Sequence, residues 1–147
     1  FNPFHYGGGG ITSTLNDYLK ILQFFLKVMK YDGENSIVSC MFRNQIGNLA
    51  ISPLKSFNKS LTLDYEIYPN VDKHWGYGLL INSKKMANKR KAGSGSWAGV
   101  LNTYFWVDPK SDVAGVFLTQ TLPCYSPNLL NAFEKFEELA YKRLIRC

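Results

Sequence analysis

Histidine and cysteine are both scarce: His5 and His74 are the only imidazoles, and Cys40, Cys124 and Cys147 the only thiols, among 147 residues. A zinc site needs three or four converging nitrogen, sulfur or oxygen ligands. Two histidines far apart in the chain, with no clustered carboxylate or thiol beside them, do not supply that set. An odd number of widely spaced cysteines gives neither a disulfide framework nor a metal spacing, so these thiols read as buried or incidental. A Ser-His-Asp triad is poorly supported as well, because the Gly-x-Ser-x-Gly turn that would present such a serine is absent. Either histidine reads as a surface or hydrogen-bonded structural residue. No metal or organic cofactor is implied.

Long apolar runs are also missing. No stretch reaches the length needed to span a bilayer, and there is no secretory signal pattern. Hydrophobic residues make up 46% and charged residues 19%, the balance of an ordinary globular chain, which removes disordered and collagen-like readings. The length suits one domain with a real core. The chain opens at Phe1 without an initiator methionine and closes at Arg146-Cys147, and it reads as a piece of something longer.

Charge is the one unbalanced quantity, with 17 Lys and Arg against 11 Asp and Glu for a net +6. Such an excess suits nucleic acid or an acidic membrane. The basic residues are scattered, however, apart from one run from Lys84-Lys85 to Lys89-Arg90-Lys91. That run has no interleaved aromatics and belongs to no recognisable nucleic-acid module. It is expected to be a solvated loop, and no nucleic-acid partner is expected.

Along the chain, residues 1–10 are turn-rich and close on Gly7, Gly8, Gly9 and Gly10. No strand precedes these glycines, so they are not a dinucleotide-binding fingerprint. Thr14 followed three residues later by Asp17 suits a helix start. Leu15, Leu19, Leu22, Phe25 or Leu26, and Met29 recur at helical spacing, up to a stop at Tyr31-Asp32-Gly33. Ser39 is expected to cap a second, shorter helix through Arg43 and Gln45, ended by Gly47-Asn48. Residues 48–74 read as loops with a short strand near Leu61 to Ile67. Strands are expected over Trp75–Asn82, Ser94–Val100, Asn102–Val107 and Val113–Thr119, the last two joined tightly through Asp108–Asp112 and antiparallel. Val113–Thr119 is apolar on both faces and so is expected to be a central, covered strand. Ser126-Pro127 starts a final helix with proline at its first position and an apolar face of Leu130, Phe133, Phe136, Ala140 and Leu144. The order of elements is α+β, an antiparallel sheet with flanking helices.

Serine–lysine pairs at i and i+3 share a helix face, where an unprotonated lysine can take the serine proton. Ser52 with Lys55 and Ser56 with Lys59 match that spacing, and Tyr68-Pro69-Asn70 follows them. Chance matches are expected in a chain this rich in serine and lysine. Both lysines also sit in a polar stretch that would not desolvate them.

Three blocks in order carry a family resemblance. Gly7 to Lys20, Trp75-Gly-Tyr-Gly-Leu79, and Ser96 to Pro109 followed by Val116 to Gln120 resemble the serine β-lactamase-like hydrolases. These include class C β-lactamases, penicillin-binding-protein-like esterases and D-aminopeptidases. The resemblance implies that residues 1–147 are the C-terminal segment of one β-lactamase/transpeptidase-like domain. The family's Ser-x-x-Lys and Tyr-x-Asn motifs precede the glycine turn, so the nucleophilic serine, its lysine and the tyrosine are expected upstream of Phe1. Ser52, Ser56 and Tyr68 come after the turn, in the wrong order. The implied activity is that of a serine hydrolase acting through an acyl-enzyme on a small ester or amide, with this segment inactive alone.

By the same resemblance Trp97-Ala98-Gly99 matches the Trp-x-Gly form of the strand beside the nucleophile. Val100 N–H would then be one of two oxyanion donors. Gly8, Gly9 and Gly10 would edge the substrate pocket, although a purely structural turn accounts for them equally. Trp97 stands where β-lactamases carry a lysine for the substrate carboxylate, and an indole offers no such charge. An ester or amide without that carboxylate fits better. Read without the resemblance, Trp97 is a strand-end aromatic packed on the core. Two other classes stay open: a non-catalytic binding or regulatory module on the same fold, and a basic α+β protein associated with nucleic acid.

Overall fold

The computed structural model describes residues 10–49 and 51–144. The first helix, α1, runs Leu15–Tyr31 with Thr14 as its N-cap, whose hydroxyl oxygen accepts from Asp17 N–H at 3.2 Å. The cap matches expectation because the residue types that satisfy orphan N–H groups are few. A short helix, α2, covers Ile37–Met41, capped by Ser36 and not by Ser39. Ser39 lies inside it, buried, with its N–H donated to Ser36 Oγ at 3.0 Å. Both serines fit a cap chemically; Ser36 wins because Gly33–Asn35 form a 3-10 turn that delivers the chain to it in an extended conformation.

Five strands form one antiparallel meander in sequence order: β1 Lys73–Trp75, β2 Leu80–Asn82, β3 Gly95–Gly99, β4 Thr103–Asp108 and β5 Val113–Phe117. Trp75–Asn82 is therefore not one strand but a hairpin, with Trp75 opposite Leu80 and His74 opposite Ile81. Gly76 forces the reversal. A side chain there would meet the Met41 carbonyl oxygen at 1.7 Å, and Gly78 turns the chain at φ +74°. Glycine is required at 76 by that close approach and favoured at 78 by that dihedral. The strand expected near Leu61 to Ile67 is reduced to two isolated bridges, Leu54 with Tyr65 and Thr62 with Cys124. The facing segments carry Pro53 and Pro123 beside the bridging residues, and proline has no N–H with which to extend a ladder.

Helix α3, Pro127–Leu144, begins at the expected proline. It covers one face of the sheet and α1 covers the other. On the α3 side Tyr104 and Trp106 of the sheet meet Phe133 and Tyr141 of the helix, all buried, with Phe117 and Leu130 packed on them. On the α1 side Val107 and Val116 of the sheet meet Leu22 of the helix, with Tyr18, Phe25 and Phe105 around them. Trp106 is fully buried because its strand partner is Gly115, where a Cβ would sit 2.0 Å from the indole. Glycine in that strand makes room for a neighbouring ring. β5 is covered on both faces, as expected, but it is the last strand of the sheet among the described residues and not a central one. The strand composition reports coverage of its faces and says nothing about its edges.

The basic run does not form a wholly solvated loop. Lys84 pairs with Asp72 at 2.9 Å and Lys89 with Glu134 at 3.3 Å, while Arg90 is fully buried against Glu137. No helix among the described residues is long and apolar enough to cross a membrane.

Candidate functional site

Strand β3 positions the residues singled out in the sequence. Gly95 and Ser96 lie opposite Ile81 and Leu80 of β2, but no β2 residue lies opposite Trp97, Ala98 or Gly99. On its other side β3 is paired along its whole length with β4, from Gly95 with Val107 to Gly99 with Thr103. Main-chain groups in an antiparallel sheet point alternately to one neighbour and the other. Asn82 N–H donates to Ser94 O at 3.3 Å, so Ser94, Ser96 and then Ala98 turn their main chain toward the β2 side. At Ala98 that side has no strand among the described residues. Half of β3 is thus an open edge bearing only small residues after Trp97.

Trp97 is half-buried, its indole against Trp75 with ring centroids 4.5 Å apart and planes at 68°. That edge-to-face contact is the packing expected of an aromatic at a strand end, and it leaves the other indole face on a groove. The groove, about 580 Å³, lies on the α1 side of the sheet, lined by Ile11, Tyr18, Ile21, Trp97, Gly99 and Phe105 among others, none of the lining residues charged. Gly10, at φ +93° with open space where a side chain would stand, leads the chain to its rim. Gly8 and Gly9 lie outside the described residues.

Val100 begins the three-residue loop between Gly99 and Thr103, and its side chain is exposed. Such loops combine a type I turn with a left-handed residue, supplied here by Asn102 at φ +55°. Asn102 is fully buried and uses its whole amide. Its Nδ2 donates to Thr121 O at 2.8 Å and Pro123 O at 2.7 Å, while its Oδ1 accepts from Tyr104 hydroxyl at 2.8 Å and Ser126 N–H at 3.2 Å. Thr119 hydroxyl bonds the Leu101 carbonyl, and Cys124 Sγ approaches Gly99 O at 3.4 Å. The loop that presents Val100 N–H is therefore fixed from beneath. The sequence signal for Asn102 was its place: an asparagine closing a three-residue gap between two strands is the residue that tolerates the left-handed region.

The serine–lysine pairs fall elsewhere. Lys55 and Lys59 both reach Asp64, Lys55 at 3.3 Å, and Ser56 N–H donates to the same carboxylate at 2.9 Å. Both lysine side chains are exposed and engaged with that one carboxylate, and Lys59 above all holds the Asp64 carboxyl well below its ordinary range. They support no general base. Tyr68 comes closer to β3 than the sequence order suggested. It hydrogen-bonds Ser96, lies at φ +51°, and packs under the Arg90 guanidinium at 5.0 Å from its centroid. Burial raises its hydroxyl pKa, so it serves the core and is no ready base. His74 stands in β1, and among the described residues no group of three or more His, Cys, Asp or Glu is placed to hold a metal. Cys40 is half-buried, Cys124 buried, and both are free thiols.

No protein-family model and no curated protein matches the chain. Solved structures do match it. Unliganded simvastatin synthase (LovD) from Aspergillus terreus aligns at a TM-score of 0.71 and 21% identity, over 94% of this chain and 36% of that one. A mutant of the same enzyme gives 0.76 at 21% identity, over 97% and 37%. Another mutant gives 0.64 at 19%, over 88% and 34%. The chain spans only 34–37% of the length of these solved chains. At such identities the likeness is one of fold: the antiparallel sheet flanked by helices is that of the C-terminal part of the β-lactamase-like fold of LovD.

Proposed function

We propose that residues 1–147 form the C-terminal segment of a β-lactamase-like serine hydrolase, contributing one wall of a site that cleaves an ester or amide through an acyl-enzyme. The observation that carries this reading is the open half of β3 beside an uncharged groove. Substrate lies along Trp97-Ala98-Gly99, where small residues let two backbones approach. Val100 N–H and the main-chain N–H of a serine outside this chain donate to the carbonyl oxygen as it gains charge. A lysine and a tyrosine, also outside the chain, move the proton from that serine to the leaving group. Trp97 supplies an apolar surface and no cation, which suits a substrate without a carboxylate.

Val100→Pro tests the role of the loop. Val100 is the first loop residue after Gly99, the i+1 place of the turn usual in three-residue loops, where proline is favoured, so the substitution should remove a donor without refolding the loop. In the complete protein it should lower the acylation rate about 10²–10³-fold with little change in substrate affinity. Acylation at the unmodified rate would remove Val100 from the mechanism.

A further inference from the structure

We propose that Thr119 is a positioning residue for the acylation step, holding the loop between Gly99 and Thr103 so that Val100 N–H stays aimed at the substrate carbonyl oxygen. The inference rests on the hydrolase reading above and adds to it a residue set behind the site. Leu118 and Gln120 line the groove on either side of Thr119, and Thr119 does not. Its side chain turns to the loop instead.

The aim of Val100 N–H follows from the peptide it belongs to. Gly99 comes after Ala98 on β3, so its main chain turns the other way, toward β4, where it pairs with Thr103. A planar trans peptide sets its C=O and the next N–H on opposite sides. With Gly99 C=O toward β4, Val100 N–H points to the open edge, and among the described residues it has no acceptor. The strand alone holds this peptide loosely. Gly99 with Thr103 is the last pair of the ladder. Glycine is required at 99, because a Cβ there would meet Thr103 Oγ1 at 2.3 Å, yet glycine leaves the adjoining peptide plane free to rotate.

The segment after β5 supplies the missing hold. Phe117 ends β5 opposite Tyr104, which brings Thr119, two residues on, level with Asn102. The Thr119 hydroxyl donates to Leu101 O and stands 3.4 Å from Asn102 O. Cys124 Sγ reaches Gly99 O at 3.4 Å, but a thiol is a weak donor. The carbonyls of residues 99, 101 and 102 are thus all approached by side chains of this one segment, while the N–H of residue 100 is left for a ligand. Among the donors to those carbonyls the hydroxyl is the strong one. Without it the loop can turn about Gly99, and the N–H that should meet the developing charge swings off its line.

Labelling kinetics with a fluorophosphonate, on the longer polypeptide that contains these residues, test the role. The limiting rate kinact reads attack by the serine, with the phosphoryl oxygen in the oxyanion's place, and KI reads binding. Thr119→Val keeps the shape of the side chain and removes the hydroxyl. It should lower kinact about tenfold, a part of the loss for a deleted oxyanion donor, with KI unchanged. Thr119→Ser keeps a hydroxyl and should restore the wild-type rate. A purely structural role would lower the unfolding midpoint of Thr119→Val and leave kinact of the folded protein as it was. An unchanged kinact, a loss confined to KI, or Thr119→Ser as slow as Thr119→Val would each overturn the proposal. Should Thr119→Val fail to fold, Thr119→Ala is read against Thr119→Ser in the same way. Wild-type protein that takes no label on a serine preceding Phe1 ends the hydrolase reading and this proposal with it. Label on that serine, with Thr119→Val reacting at full rate, ends this proposal alone.

Discussion

Glu137→Ala is expected to cost about 3–5 kcal/mol of folding stability, the range for removing one partner of a buried ion pair. Both side chains of the Arg90–Glu137 pair are 0% exposed. Arg90 Nε donates to Oε1 at 2.7 Å and Nη2 to Oε2 at 2.8 Å, a two-pronged contact, and Arg90 N–H adds a third at 3.4 Å. The guanidinium is also enclosed by rings, 5.0 Å from the Tyr68 centroid and 5.7 Å from that of Trp106. Removing the carboxylate leaves a full charge among these rings with no counter-ion. A domain is stable by only about 5–15 kcal/mol, so the variant should sit close to its unfolding limit. The pair itself is worth far less than its rupture, because both ions were desolvated to form it. Arg90→Met combined with Glu137→Leu should therefore recover most of the loss. Urea unfolding of the three proteins, with m held constant, separates these cases. A single variant within about 1 kcal/mol of wild type would mean that water reaches Arg90.

The second large effect is expected at Asp108, the residue that ends β4. Its carboxylate is fully buried and accepts from Lys91 N–H at 2.9 Å, from Lys110 and Ser111 N–H at 3.1 Å each, and from Tyr141 hydroxyl at 2.9 Å. One side chain thus ties the basic loop, the β4–β5 turn and α3 together. Asp108→Ala strands these donors in the interior and should cost about 3–5 kcal/mol, since bonds to a charged group contribute about 1.5–3 kcal/mol each and do not add fully. Burial alone would push the carboxyl pKa up, but the Lys91, Ser111 and Tyr141 donors outweigh it and the net shift is downward. A depressed folded-state pKa means that the stabilisation is complete above the unfolded value near about 4 and is lost as pH falls through the folded value. The stability gap between wild type and Asp108→Asn should accordingly narrow in acid. A gap constant from neutral pH down through that range would show that Asp108 does not act as an anion.

How far the sequence foretold this molecule depends on how local each cause was. α1 was readable because its cap and its apolar period lie within one segment, and α3 because proline marks its start. The β4–β5 hairpin was readable because Asp108–Asp112 is a turn signal between two aromatic and aliphatic runs. The division of Trp75–Asn82 into two strands was not, since it depends on the Met41 carbonyl pressing on Gly76, a contact between segments distant in sequence. Arg90 looked like part of a solvated loop for the same reason, its buried partner Glu137 lying far along the chain. Charged residues are almost never fully buried unless paired, and the pairing joins positions 47 residues apart. At the candidate site, Trp97 to Val100 were found through their resemblance to a known strand. The support beneath them from Asn102 and the 121–126 segment became visible only in three dimensions.

The central claim is that this chain is one wall of a serine-dependent site whose nucleophile lies outside it. Intact-mass analysis after treatment with a fluorophosphonate tests that claim most directly, applied to the 147 residues alone and to the longer polypeptide containing them. The account predicts no adduct on the short chain and a single adduct on the longer one, mapped to a serine preceding Phe1. An adduct on Ser52, Ser56 or any other serine of this chain, or none on the longer polypeptide, would contradict it.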